Sequence, residues 1–372
     1  MSLRIAIDAS RTTAGRPTGT EHYARRLLHA FIEANLYRDE PHNITLYFRD
    51  APPADLFPAN AMTRQIVLPW GRAWTHLRFA RELWAARPDV CFVPAHTLPL
   101  SFPGHALVTV HDLGYKHFPA AHPQMQRRYL DFTTAHSQRR ATLILADSRA
   151  TADDLSSYYG APKDKIRVLY PGVDADALGF EEKDIARVRD RFQLPERFFL
   201  FIGTLQPRNN IQGLVNAFVE WQRQVGDKQT GLVLAGGKGW LFDETWLAGA
   251  ENVRMLGYIE EGDKGALLSQ ALALVFPSFY EGFGFPVLEA MICGTPVIAS
   301  NTSSLPELVG KAGLLVDPQD TAAISSAMRR YNSDPGLRQS MIRKGKRQAA
   351  AFTWERAAAR LHEIFDEIQQ MQ

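Results

Sequence analysis

Ten short, largely apolar runs punctuate the chain, at residues 3–7, 44–48, 65–68, 90–93, 106–110, 143–146, 198–203, 231–235, 272–276 and 296–299. Each has the length of a strand, and most are unbroken rather than alternating, as strands covered on both faces are. Segments with helical periodicity lie between most of them. This alternation predicts parallel sheets with helices on both faces, an α/β fold. The stretch 170–194 breaks the rhythm with Pro171, Gly172 and a charged segment, and Pro195 stands just beyond. A hinge belongs there, and the runs on either side describe the same kind of α/β unit used twice. After Phe352 the pattern changes again: Thr353 can cap a helix in which Ala357, Leu361, Ile364 and Phe365 recur at helical spacing. The expected division is an N-terminal domain over 1–172, a C-terminal domain over 173–351 and a last helix over 352–372.

A chain of 372 residues with 45% hydrophobic content can bury two such cores. The strand-like run at 3–7 leaves no room for a signal peptide, and no apolar run approaches the roughly 18 residues of a membrane span. A cytosolic protein is expected. Net charge is only +2, which argues against a general nucleic-acid binder. The first 175 residues carry 21 Lys and Arg against 16 Asp and Glu, the remainder 21 against 24, and ten of the eleven histidines lie in the first part. A basic, histidine-rich half suits an anionic or membrane-linked acceptor, although scatter in surface charge produces differences of this size. From Trp70 to Arg87 aromatic and basic residues interleave. Trp74, Leu77, Ala80 and Trp84 fall on one helical stripe, with Arg72, Arg78 and Arg87 among the polar positions. Such a segment either turns its stripe to the core or rests on an anionic membrane surface. Cys91 and Cys293 sit within apolar runs and read as core thiols, not as a disulfide or metal site.

Candidate chemistry concentrates between Phe276 and Val297. A buried strand ending at Phe276 should be followed by a glycine loop, a helix opened by Pro286 and closed by Gly294, and a second strand from Pro296. Backbone amides then converge just after Gly284. They and the positive end of the helix dipole would hold a diphosphate, with Gly282 and Gly284 letting the backbone approach. Glu281 in the loop can face what lies beyond the phosphates, and Glu289, about one turn into the helix, can reach back toward a ribose hydroxyl pair. A βαβ unit with a glycine turn and two solvated acids has the same spacing. Elsewhere, the apolar run 107–110 leads into His111, placing it at a carboxyl strand end where open α/β sheets bind ligands. Asp112 could orient that ring or cap the following turn. The strand at 5–7 should end in a flexible loop over 11–20, in which Gly19 permits backbone approach to a phosphate, before a helix beginning near Glu21.

The segment Glu281-Gly-Phe-Gly-Phe-Pro-Val-Leu-Glu289 resembles the E-x7-E signature of the retaining family 4, or group 1, glycosyltransferases. Ile7-Asp-Ala-Ser10 with Gly19, Val110-His-Asp-Leu113, Tyr170-Pro-Gly-Val173, Gly203-Thr-Leu-Gln-Pro-Arg208, Leu234-Ala-Gly236, Leu256-Gly-Tyr258, Ser303-Ser-Leu-Pro-Glu307 and Phe352-Thr-Trp-Glu355 match the family's other segments in order. The resemblance covers nearly the whole chain. It implies the GT-B type of fold, two Rossmann-like domains facing across a cleft, with the last helix crossing back onto the first domain. It also implies a retaining, metal-independent hexosyltransferase that needs no cofactor beyond its nucleotide-sugar substrate. The acceptor would be a glycan or lipid-linked glycan in polysaccharide or lipopolysaccharide synthesis; several similar enzymes use GDP-mannose.

Carried over by position, His111 would bond the donor sugar near the reacting carbon, and Arg208 with the amides after Gly282 would stabilise the leaving diphosphate. Glu281 would hold sugar hydroxyls and Glu289 the ribose. Gly19, Thr204, Asn209, Lys238, Tyr258, Gly282, Phe283 and Gly284 complete the implied donor site, Tyr258 against the base. The chain departs from the family twice, with Thr204 where arginine is frequent and Asn209 where lysine commonly follows Arg208. Both departures remove positive charge from the diphosphate site. Two other classes stay open: a sugar-nucleotide epimerase of similar architecture, and a non-catalytic nucleotide-sugar binding protein. A nicotinamide dehydrogenase fits poorly, because Val287 stands where that fingerprint needs its third glycine.

Overall fold

The computed structural model describes residues 2–13, 19–57 and 60–371, and in it the apolar runs form two parallel sheets. The first holds β1 (Arg4–Asp8), β2 (Asn43–Phe48), β3 (Thr63–Val67), β4 (Val90–Val93), β5 (His105–Val110), β6 (Leu143–Ala146) and β7 (Ile166–Val168), in the order β3-β2-β1-β4-β5-β6-β7. The second holds β8 (Phe198–Ile202), β9 (Gly231–Ala235), β10 (Val253–Gly257), β11 (Ala273–Phe276), β12 (Val297–Ser300) and β13 (Leu314–Val316), in the order β10-β9-β8-β11-β12-β13. Strands β4, β6, β8, β9, β11 and β12 are buried along their whole length, which is why their sequences read as unbroken apolar runs. The edge strands are different. Half-exposed β7 and β13 each span three residues, too short and too mixed to stand out in the sequence.

By packing, the chain divides into two units. One comprises Met1–Tyr115, His122–Gly172 and Thr353–Gln372; the other comprises Lys116–Ala121 and Val173–Phe352. The excursion Lys116–Ala121, which no sequence feature marks, belongs to the second unit through His117, whose ring stacks on Tyr280 at 4.1 Å.

Within the first unit the helix Trp354–Gln370 lies against the helix Gly19–Asn35. Phe31 meets His362 at 4.2 Å and Phe365 at 5.3 Å, and Arg38 pairs with Asp366 at 2.8 Å. Thr353 caps this helix by accepting from the Arg356 amide at 3.3 Å. Ala357, Leu361, Ile364 and Phe365 are all buried, each large one contributing about 1.5–3 kcal/mol. The 70–87 segment does not keep one stripe. Trp74 and Ala80 are buried, whereas Leu77 and Trp84 are exposed. A wide π turn at Thr75–Phe79 precedes the helix Ala80–Ala86, and its extra residue per turn shifts the phase, so Phe79 and Leu83 take the inward positions.

In the second unit Trp221 of the helix Ile211–Val225 packs between Phe218 at 5.6 Å and Phe199 of β8 at 5.2 Å. Strand order reverses beside β1 and β4 in one sheet and beside β8 and β11 in the other. Open parallel sheets bind ligands at the carboxyl ends flanking such reversals, because the connecting loops diverge there.

Candidate functional site

At the reversal of the second sheet, the loop after β8 carries Gly203 to Arg208 and the loop after β11 carries Glu281. A Cβ on Gly236 would lie 2.0 Å from the Gly203 carbonyl oxygen, so only glycine lets the β8 and β9 ends approach this closely. The Leu205 amide donates to Gly237 O and the Gly239 amide to Leu205 O, both at 2.9 Å. The Phe279 amide donates to Arg208 O at 2.9 Å, tying the β8 and β11 loops together. Arg208 Nη2 then stands 4.0 Å from Glu281 Oε2, with both side chains half-buried. Glu281 is fixed from behind: its amide donates to Ser303 Oγ at 2.9 Å, and Ser304 Oγ donates to its carbonyl at 3.0 Å.

Gly284 adopts φ 117° and opens the helix Phe285–Ile292, with Pro286 in its first turn. A Cβ at Gly284 would press within 2.7 Å of Leu305 Cδ2. The positive end of this helix therefore follows the Glu281 loop directly, an arrangement suited to an anion beside Arg208.

Glu289 lies further along the same helix and is 9% exposed. Its Oε1 is 2.9 Å from Lys264 Nζ, which also reaches Glu261 at 3.0 Å. Burial raises the Glu289 pKa and Lys264 opposes the rise without cancelling it. For Lys264, burial pulls the pKa down and the two carboxylates more than restore it. Lys264 is a partner of this candidate site residue that the sequence did not reveal; a single lysine in the polar start of the helix Glu261–Ser269 gives no sign of a buried partner.

The remaining implied donor contacts scatter. Asn209 is 4% exposed and turns inward, its Nδ2 donating to Thr204 O at 2.7 Å, which closes the loop. The Thr204 side chain is exposed. Lys238 pairs with Glu244 at 2.7 Å and lies 5.1 Å over the Phe242 ring. Tyr258, just past β10, is 70% exposed. Phe283 is buried between Phe285 at 5.0 Å and Phe352 at 6.1 Å, so its side chain belongs to the core, while Gly282 precedes it in the loop.

In the first unit the β5–β6 register pairs Val110 with Ala146, which sets the next residues, His111 and Asp147, side by side. His111 Nδ1 is 2.8 Å from Asp147 Oδ2 and Nε2 is 3.3 Å from Pro94 O. The His111 amide donates to His96 Nε2 at 2.9 Å, and Tyr23 meets the ring edge-on at 4.8 Å. Burial pulls the His111 pKa down, but the charge and hydrogen bond of Asp147 outweigh it and the net shift is upward. Burial, with His111 nearby, lowers His96 to about 4, which keeps its Nε2 an acceptor. Asp112 accepts from the Gly114 amide at 2.8 Å; it caps the turn, and Asp147 orients the ring. Asp147 was legible only as the residue after an apolar run. Gly19 opens its helix two residues before Glu21, and a Cβ there would meet nothing within 4 Å. Of the expected 11–20 loop, Ser10–Thr13 form a 3-10 turn and residues 14–18 lie outside the described residues.

Among the described residues no three His, Cys, Asp or Glu side chains are placed to hold a metal, and Cys91 and Cys293 are free thiols. No described helix is long and apolar enough to cross a membrane.

The family model described as Glycosyltransferase Family 4 matches residues 17–177, and that described as Glycosyl transferases group 1 matches residues 182–348. O-antigen chain mannosyltransferase B of Escherichia coli is 34% identical over 292 residues, covering 76% of each protein. The serotype-specific mannosyltransferase WbdA of Escherichia coli is 28% identical over 228 residues, which are 59% of this chain and only 28% of that protein. Sucrose-phosphate synthase from Thermosynechococcus elongatus superposes over 99% of both chains with a TM-score of 0.75 at 23% identity, a likeness of fold. Two parallel-sheet units, both family models in chain order and 34% identity over three quarters of a relative together place the chain in the family 4, group 1 glycosyltransferases.

Proposed function

We propose that the protein transfers a mannosyl residue from GDP-mannose, with retention and without a metal ion, to a glycan or lipid-linked acceptor in polysaccharide synthesis. The observation that carries this reading is the Arg208–Glu281 pair, 4.0 Å apart on loops flanking the strand-order reversal and followed by a helix N-terminus. A cation and a helix dipole at one place stabilise a diphosphate as it leaves, and a carboxylate beside them accepts from sugar hydroxyls. The similarity to mannosyltransferases supports the choice of sugar. The test is incubation with GDP-mannose, GDP-glucose, UDP-glucose or ADP-glucose and a manno-oligosaccharide acceptor, with the anomeric configuration of the product read by NMR. An altered sugar nucleotide without acceptor would favour an epimerase, and donor binding with neither transfer nor hydrolysis would favour a binding protein.

The same reading includes contact between the first unit and an anionic membrane surface. Trp70, Leu77 and Trp84 are exposed, as are Met125, Tyr129 and Phe132 on the helix Gln124–Arg140. His76 joins the two segments through Tyr129 OH at 3.2 Å. The exposed charged residues on them are all arginines: Arg72, Arg81, Arg87, Arg128 and Arg139. Aromatic rings amid arginines suit the boundary between headgroups and acyl chains. Salt-sensitive sedimentation with phosphatidylglycerol vesicles, reduced in Trp84→Ala/Phe132→Ala, is the expected result; equal recovery with and without vesicles would refute it.

A further inference from the structure

The second unit contains a cavity of about 300 Å³ lined by none of the side chains assigned above to the donor, with Pro207, Asn210, Gln212, Asn216, Trp246 and Phe279 among its walls. It adjoins the transfer centre through the chain itself. Pro207 precedes Arg208, Phe279 stands two residues before Glu281, and the Phe279 amide holds Arg208 O at 2.9 Å. None of the lining side chains is ionisable, so the cavity offers no charged side chain to a phosphate or carboxylate, although the first turn of the helix Ile211–Val225 at its wall favours negative charge. Two half-buried aromatic rings supply apolar faces. Gln212 and Asn216, four apart on the exposed face of the helix Ile211–Val225, supply amides that both donate and accept, and no other described residue engages them. The floor is rigid. Asn210 is 6% exposed, donates to Pro318 O at 2.6 Å and packs over Gly213, where a Cβ would lie 2.3 Å from its Oδ1.

Apolar walls with a few convergent neutral polar groups, at the small end of ligand-site volumes, match a ligand with a C–H face and a rim of hydroxyls. We infer that this cavity is a subsite for one neutral sugar residue of the acceptor glycan. The inference rests on the glycosyltransferase reading of the Arg208–Glu281 loops and adds to it where the acceptor is gripped. A nucleobase is the competing occupant, since rings and amides also suit one.

The test uses saturation-transfer NMR with mannotriose, guanosine as competitor and GDP binding as a separate measurement. Wild type, Trp246→Ala and Gln212→Leu/Asn216→Leu are compared, each checked for an unchanged melting temperature. Mannotriose should bind wild type and weaken about tenfold or more in both variants, with GDP affinity unchanged. Because Gln212 and Asn216 are exposed, the double variant keeps the test valid if Trp246→Ala fails to fold. Mannotriose binding within twofold of wild type in the variants, no mannotriose binding at all, or displacement by guanosine would each overturn the inference. Loss of GDP binding in wild type would instead refute the donor-site reading.

Discussion

Replacing Lys264 by Met keeps the aliphatic stem and removes the positive charge 2.9 Å from the buried carboxylate of Glu289. At that distance, with an effective dielectric constant near 20, the pair attracts by about 6 kcal/mol before desolvation is subtracted. Removing one member of a buried pair costs about 3–5 kcal/mol. The side chains here remain 15% and 11% exposed, and Glu261 repels Glu289, so the lower end, about 3 kcal/mol at pH 8, is expected. The loss must depend on pH. Without Lys264 nothing opposes the upward pull of burial on Glu289, so the folded variant binds a proton at a pH where the unfolded chain does not. Its stability then rises as pH falls, by up to about 1.4 kcal/mol per unit, from the raised folded pKa down to the ordinary carboxyl value. Wild type should show this trend only over a narrower window, because Lys264 limits the shift. Hydrogen exchange in the helix Phe285–Ile292 between pH 5 and 8 measures the local stability without assuming two-state unfolding of a two-unit chain. Lys264→Arg should restore most of the loss. A deficit that stays constant with pH, or falls below about 1 kcal/mol at pH 8, would show that solvent already screens the pair and that the reasoning is wrong.

Arg208→Ala should lower transfer by about 10²–10³-fold, the usual cost of one charge-stabilising donor; an unchanged rate would remove Arg208 from the leaving-group site. Asn209→Lys should lower the melting temperature, because it displaces a buried amide bonded to Thr204 O. An equally stable variant that binds GDP more tightly would show that this side chain can turn outward. In Asp147→Asn, the His111 ring loses the charge that holds its pKa up, with His96 and Asp112 still beside it, and should titrate lower by NMR. An unmoved titration would show that Asp147 does not set its protonation. Burial depresses His42 to about 4 and His362 to about 3. Both are neutral when folded, and the unfolded chain takes up their protons below about pH 6.5. Stability should therefore be complete above that pH and decline as pH falls, and His362→Gln should flatten the decline between pH 6 and 4. An unchanged slope would count against the assignment.

The sequence alone determined whatever depends on local periodicity and backbone chemistry. Unbroken apolar runs marked the central strands because a strand buried on both faces has no polar alternation to keep. Pro286 and Gly294 bounded a helix through the dihedral angles they favour, and Thr353 announced the last helix by its capping oxygen. The motif from Glu281 to Glu289 was legible for the same reason: strand, glycine loop and helix are contiguous, so their spacing carries the geometry. The tertiary structure decided the partners. Asp147 meets His111 because β5 and β6 pair Val110 with Ala146, Arg208 meets Glu281 because β8 and β11 are neighbours, and Lys264 meets Glu289 only where two helices pack. It also turned Asn209 and Phe283 inward and split the 70–87 stripe through one wide turn. None of these contacts has a local signature, since each joins residues far apart in the chain and is fixed by strand order and helix packing, not by the residues' own conformational preferences.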